Sequence, residues 1–251
     1  MGQKTLLVGL AHPDDEVGAA GTILAQRARG DRVVIVWLTR GEITEAFGGI
    51  PQDEVAAIRL EHGRLAGELL GCETRFLDLP DCGVESTAAN ARRVAELITD
   101  IKPDGVLTWG DAWARGMRHP DHQATGRIFR DAVTLARIAK VVAPRPPHRA
   151  PVPVFTYRGA HSTLPAVAVD VEPYLDGIFA LGQFYLQRIG FGERAWLEER
   201  LHSNGKPFGL RYAEVYDAWE SEPGIVPALL PALLANDEHI HPDRRAEITP
   251  P

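Results

Sequence analysis

Short runs of consecutive apolar residues alternate along the chain with longer stretches whose apolar positions recur every three or four residues. Leu6, Leu7, Val8 and Leu10 form one run within Thr5–Ala11. Val33, Val34, Ile35, Val36 and Trp37 form a second within Arg32–Leu38, and shorter runs occupy Thr74–Leu79 and Gly105–Trp109. Runs of this length without polar alternation predict strands buried on both faces. Between them the spacing predicts helices over Val17–Arg29, stopped by Gly30, and over Asp53–Leu70, closed by Gly71. Two more are predicted over Thr87–Ile101, capped by Ser86 and ended ahead of Pro103, and over Asp121–Lys140. Strand and helix alternate four times. That pattern predicts an α/β fold, a Rossmann-like and mostly parallel sheet with helices on both faces.

The pattern changes at Pro144–Pro153, where Pro144, Pro146, Pro147, Pro151 and Pro153 mark a connector. Beyond it Val154–Tyr157 and Ala166–Val171 read as strands and Pro173–Arg188 as a helix, a C-terminal elaboration of the same domain. From Glu220 the prolines 223, 227, 231 and 242 predict a peripheral tail with one apolar stretch, Ile225–Leu234. The expected organisation is a single domain over 1–219 and a tail over 220–251.

The chain has 251 residues and a formal net charge of −7, which argues against a general nucleic-acid surface. The longest apolar run is too short for a membrane span or a signal core. Cys72 and Cys82 are not in a C-x2-C arrangement and read as free thiols of a reducing compartment, so a cytoplasmic location is expected.

Ligands of parallel sheets bind at the carboxyl ends of the strands, and every chemically loaded loop follows a strand. The first holds His12-Pro13-Asp14-Asp15-Glu16 and the fourth His119-Pro120-Asp121-His122. A dinucleotide site would keep glycines in the first loop, but Gly18 and Gly21 arrive late. Three carboxylates there repel phosphate and attract a cation. His12, Asp15 and His122 can hold a catalytic metal with one position left for water, which the ion would activate. Zinc (Zn2+) suits this set, and iron(II) (Fe2+) is compatible with it. Asp14 can then serve as general base. His119 can stabilise the oxyanion or protonate the leaving amine, with Asp121 holding its other ring nitrogen.

These two segments resemble the PIG-L/LmbE-like family of zinc-dependent deacetylases. The likeness extends to Thr39-Arg40-Gly41-Glu42, Arg59, Glu61, Leu70-Gly71, Leu79-Pro80-Asp81 and Arg211-Tyr212-Ala213-Glu214, and so covers roughly residues 4–219. It implies His12, Asp15 and His122 as metal ligands, Asp14 as base and His119 as the transition-state histidine. It also implies Arg59 as a sugar contact. Glu42 and Asp81 join it as candidate substrate contacts, and Trp113 as a ring that stacks on a sugar. The chain departs from the family at Leu175–Gln187, which has no Lys and carries Leu186-Gln187 in place of Ser-Gln, and at Trp113–Arg118.

Glu16 reads as a brace of the first loop and Trp109 as core. A third His-Pro-Asp, His241-Pro242-Asp243, follows no strand and reads with His239 as solvated tail. The expected activity is removal of an acetyl group from an N-acetylated amino sugar or small glycoconjugate. Two other functions are weighed: an amidase for a larger thiol-sugar or other amide conjugate, and a non-catalytic sugar- or nucleotide-binding module with a structural metal. The expected partner is a small-molecule substrate. A homo-oligomer is compatible with the sequence, which does not fix it.

Overall fold

A computed structural model describes residues 2–110 and 118–235. Its strands are β1 (Thr5–Leu10), β2 (Arg32–Trp37), β3 (Glu73–Phe76), β4 (Gly105–Thr108), β5 (Val154–Tyr157), β6 (Ala166–Asp170), β7 (Ala213–Ala218) and β8 (Gly224–Val226). They form one eight-stranded sheet in the order β3-β2-β1-β4-β5-β7-β6-β8. The first five in chain order pair in parallel, β7 runs antiparallel to both its neighbours, and β8 pairs in parallel with β6. The helices are α1 (Ala20–Ala28), α2 (Gln52–Leu70), α3 (Ala88–Ile101), α4 (Pro120–Leu135), α5 (Ala139–Val142), α6 (Leu175–Ile189) and α7 (Arg194–Gly205).

The apolar runs are buried on both faces, as their lack of alternation implies. Leu6, Val8 and Leu10 of β1 pack into one core with α1, α6 and α7. Leu7, between them, joins Val34 and Val36 in the other core, with α3 and α4. Successive strand residues point to opposite faces, so one apolar run supplies two cores. Among the described residues no helix is long and apolar enough to cross a membrane.

The differences from expectation have local causes. The helix after β1 opens late, because Asp15–Ala19 is a 3-10 segment and α1 starts at Ala20. Tight bonds from Asp15 N to His12 O and from Val17 N to Asp14 O turn the acidic side chains inward first. Thr87, not Ser86, caps α3 by accepting from Asn90 N. The helix expected to reach Lys140 stops at Leu135 and restarts as the short α5.

Helix α7 and strand β7 were not expected. In β7 the acids Glu214 and Asp217 interrupt the apolar run, yet both are buried. The stretch from Glu220, expected to be a peripheral tail, contributes β8, and Ala228, Leu229 and Leu230 are buried in the core. The rest of that tail, with His239 and His241, lies outside the described residues, as does Trp113.

Candidate metal centre and active site

Strand β1 delivers His12 to the carboxyl edge of the sheet, and the loop there folds around its own acids. Oδ2 of Asp15 accepts the amides of Ala11 at 2.9 Å and His12 at 3.0 Å, and the indole N–H of Trp109 at 3.1 Å. That leaves Oδ1, which lies 3.1 Å from Nε2 of His122. Nδ1 of His12 is 3.3 Å from the same nitrogen. An imidazole from β1's loop, one from α4 and one carboxylate oxygen therefore converge. Trp109 also lies flat on the His122 ring, with centroids 3.9 Å apart, so a residue read as core holds two members of this group.

Asp14 sits beside them with φ 123°, a backbone conformation that L-residues rarely adopt. Surrounding contacts hold it there. Oε2 of the fully buried Glu16 accepts the Asp14 amide at 2.9 Å and Trp37 Nε1 at 3.1 Å, and its other oxygen takes the Tyr185 hydroxyl. Arg59 donates to the Pro13 carbonyl and, at 2.7 Å, to Oδ2 of Asp14. The brace role expected of Glu16 is thus shared with Arg59.

The far side of His12 departs from expectation. Asp121 was expected to orient His119. Its Oδ2 stands 4.0 Å from His119 Nδ1 but only 3.2 Å from Nε2 of His12, and accepts Cys82 N–H, while Oδ1 accepts Val84 N–H. Oδ1 of Asp81, expected to touch substrate, lies 3.1 Å from the same His12 nitrogen. His119 is the N-cap of α4, its Nδ1 accepting the Asp121 amide at 3.3 Å, ahead of Pro120 in the first turn. An accepting Nδ1 puts the proton of the neutral ring on Nε2, which is 3.7 Å from the Cys82 thiol at the cavity wall.

Arg59 is 2 % exposed and is turned towards Asp14 rather than being a surface arginine; its Nε and Nη1 have no hydrogen-bond partner among the described residues. Glu42 accepts the Asp81 amide and lines a neighbouring cleft with Arg40 and Asp53, not the cavity over the histidines. That cavity encloses about 690 Å³, and its wall includes His12, Asp14, Asp15, His119 and His122.

The electrostatics favour a cation at the centre. Burial alone would raise the Asp15 carboxyl, but His122 and His12 hold it well below the usual range. Burial alone would lower His12, yet Asp121 and Asp81 raise it to about 10. Burial raises Asp14 to about 6 against the pull of Arg59. His12, His119 and His122 lie close enough to share an ion, as do His12, Asp81, His119 and Asp121. The second set is the poorer cage, because the Asp121 oxygens are already engaged by two backbone amides and by His12. Nitrogen and carboxylate donors on the Nδ1 side of His12 fit a borderline divalent ion. The acids on its Nε2 side suit the support that a ligating histidine needs.

Residues 7–133 match the family model described as PIG-L: GlcNAc-PI de-N-acetylase. The chain is 29 % identical to the diacetylchitobiose deacetylase of Thermococcus kodakarensis, over 84 % of this chain and 81 % of that protein. Among solved structures, N,N'-diacetylchitobiose deacetylase from Pyrococcus horikoshii superposes with a TM-score of 0.77 at 23 % identity, covering 86 % of this chain and 84 % of the other. A 4-carboxy-2-hydroxymuconate hydratase from Pseudomonas putida KT2440 shares the fold at a TM-score of 0.73 and 22 % identity, covering 86 % and 96 %. The fold by itself therefore does not select the reaction.

Proposed function

The chain belongs to the PIG-L family, and from that premise we propose that it is a zinc-dependent N-deacetylase of an N-acetylated amino sugar or small glycoconjugate. The observation that carries this reading is the convergence of His12 Nδ1, Asp15 Oδ1 and His122 Nε2, with Asp14 held beside them. The similarity to a diacetylchitobiose deacetylase over most of both chains supports the substrate class.

In this reading His12, Asp15 and His122 hold the ion. Bound there, zinc would supply Lewis acidity, making a water more acidic and polarising the amide carbonyl. Asp14, held beside the metal site by Arg59, takes the proton of the attacking water. Arg59 and Glu16 keep its carboxylate and backbone in place. His119 presents Nε2–H to the cavity and donates a hydrogen bond to the developing oxyanion, and the proton taken by Asp14 passes on to the leaving amine. Asp121 and Asp81 orient His12 through its other nitrogen, and Trp109 fixes His122 by stacking.

Acetate release from N-acetylglucosamine and N,N'-diacetylchitobiose tests the proposal. It should require metal and fall roughly 100-fold to 10,000-fold in Asp14→Asn, with metal content unchanged. Undiminished turnover in that variant would remove the role given to Asp14. No acetate from any N-acetylated sugar by metal-loaded protein would remove the activity itself.

A further inference from the structure

Helix α7 carries two four-residue periods side by side. Leu197, Leu201 and Gly205 are buried and seat the helix on the core. Trp196, Arg200 and Asn204, each one position earlier, line the cavity that holds the histidine cluster. Phe191, just ahead of the helix, lines it too, with its ring 5.6 Å from that of Trp196.

The platform is exposed and firmly seated. Trp196 is 46 % and Phe191 38 % exposed, two large aromatic surfaces at the mouth of that cavity. Gly190 and Gly192 flank Phe191 with φ 72° and 98°, and a Cβ on Gly192 would lie 2.7 Å from the Gly182 carbonyl oxygen of α6. Only glycines allow this turn to press so closely on α6. Arg200 lies 5.3 Å from the Trp196 ring centroid, and its Nη2 donates at 3.3 Å to the carbonyl of Val17, two residues beyond Asp15. Its Nε is buried with no hydrogen-bond partner among the described residues. The mouth is thereby linked to the loop that carries the acids.

An indole face with guanidinium and amide donors beside it matches a saturated ring that is apolar on its C–H face and hydroxylated at its edge. The acetamido group must reach His12 and His122 for the proposed chemistry, so the mouth receives what is attached to that sugar. We infer that Trp196, with Arg200 and Asn204, forms a subsite that stacks a second ring. This rests on the deacetylase reading above. Trp113, the stacking ring that the sequence suggested, lies outside the described residues.

The test compares kcat/KM for N,N'-diacetylchitobiose and N-acetylglucosamine in the metal-loaded full chain, its Trp196→Ala variant and its Trp196→Phe variant. The wild-type protein should prefer the disaccharide. Trp196→Ala should reduce that preference roughly tenfold, chiefly through KM, and Trp196→Phe should retain most of it. An equal loss on both sugars, or none, overturns the subsite. So does faster turnover of a glycoside bearing an acyclic dicarboxylate, if that depends on Arg200 and not on Trp196. Calorimetric binding of the disaccharide to Asp14→Asn protein, with and without Trp196→Ala, reads the subsite without turnover. Binding weakened by Trp196→Ala supports it even if no N-acetyl sugar is hydrolysed, whereas absent or unchanged binding overturns it.

Discussion

The Asp121 carboxylate lies 3.2 Å from Nε2 of His12, and its two oxygens also accept the amides of Cys82 and Val84. The acid of the second His-Pro-Asp thus serves the histidine of the first. A ligating imidazole whose far nitrogen is held by a carboxylate is fixed in tautomer and made more basic. Asp121→Asn should therefore weaken metal binding by roughly 10-fold to 100-fold, measured by competition with a chromophoric chelator. Wild-type affinity in the variant would mean that Asp81 alone suffices.

His119 is the N-cap of α4 and the proposed donor of the reaction, and substitutions can separate the two. As the N-cap of α4 it accepts a backbone amide, and Asn caps as well as any residue. His119→Ala should lose about 1 kcal/mol of stability along with activity. His119→Asn should recover the stability, read by urea denaturation, and leave deacetylation as low as in the alanine variant. Recovery of turnover in His119→Asn would show that the cap, not the proton on Nε2, is what the reaction needs.

Arg59 is the buried partner of Asp14, whose own side chain keeps 23 % exposure. Arg59→Met removes that partner and one donor to the Pro13 carbonyl. The expected cost is about 3 kcal/mol, the low end for breaking a buried pair, because Asp14 retains some water. Chemical denaturation measures it. A loss below about 0.5 kcal/mol would place the pair with ordinary surface bridges.

Glu214 of β7 is raised by burial, against the opposing hydrogen bonds from Thr22 and Gly21 and the charge of Arg200; the Tyr216 hydroxyl also donates to it at 2.9 Å. A folded-state carboxyl raised above its unfolded value binds more protons than the unfolded chain does. Its contribution is complete below about pH 4.3, the ordinary glutamate value, and is lost as pH rises through the folded value. Stability should fall with pH across that window, and Glu214→Gln should flatten the slope. Glu16, raised by burial to about 7, acts in the same direction and remains in the variant, so the slope should shrink rather than vanish. An unchanged slope by denaturation at stepped pH would show that Glu214 does not titrate there.

Much of this was legible in one dimension. Leu6–Leu10 and Val33–Trp37 declare buried strands, and His12–Glu16 behind the first declares a cation site. What was hidden depends on packing between distant segments. The burial of Arg59 is explained only by Gly41 beside it. That glycine has φ 68°, and a Cβ on it would lie 3.1 Å from the Arg59 guanidinium. Asp121 could serve either histidine, and only the placement of α4 against β1 selects His12. Strand β7 was masked by Glu214 and Asp217, which look solvated in sequence but are answered by α1 and by Arg158. Helix α7 did leave a signal that went unused, the paired i, i+4 periods at Trp196-Arg200-Asn204 and Leu197-Leu201-Gly205.

The carboxylate of Glu214 also accepts the Gly21 amide at 3.0 Å and the Thr22 amide at 2.7 Å, so the first turn of α1 is capped by an acid nearly two hundred residues away. The segment matching the family, 7–133, contains every proposed metal ligand but not this acid. A chimera that keeps the N-terminal half and grafts another relative's C-terminal segment would exchange Trp196 and the mouth. It would keep the helix behind the acidic loop anchored only if the graft carries a glutamate at the position of Glu214.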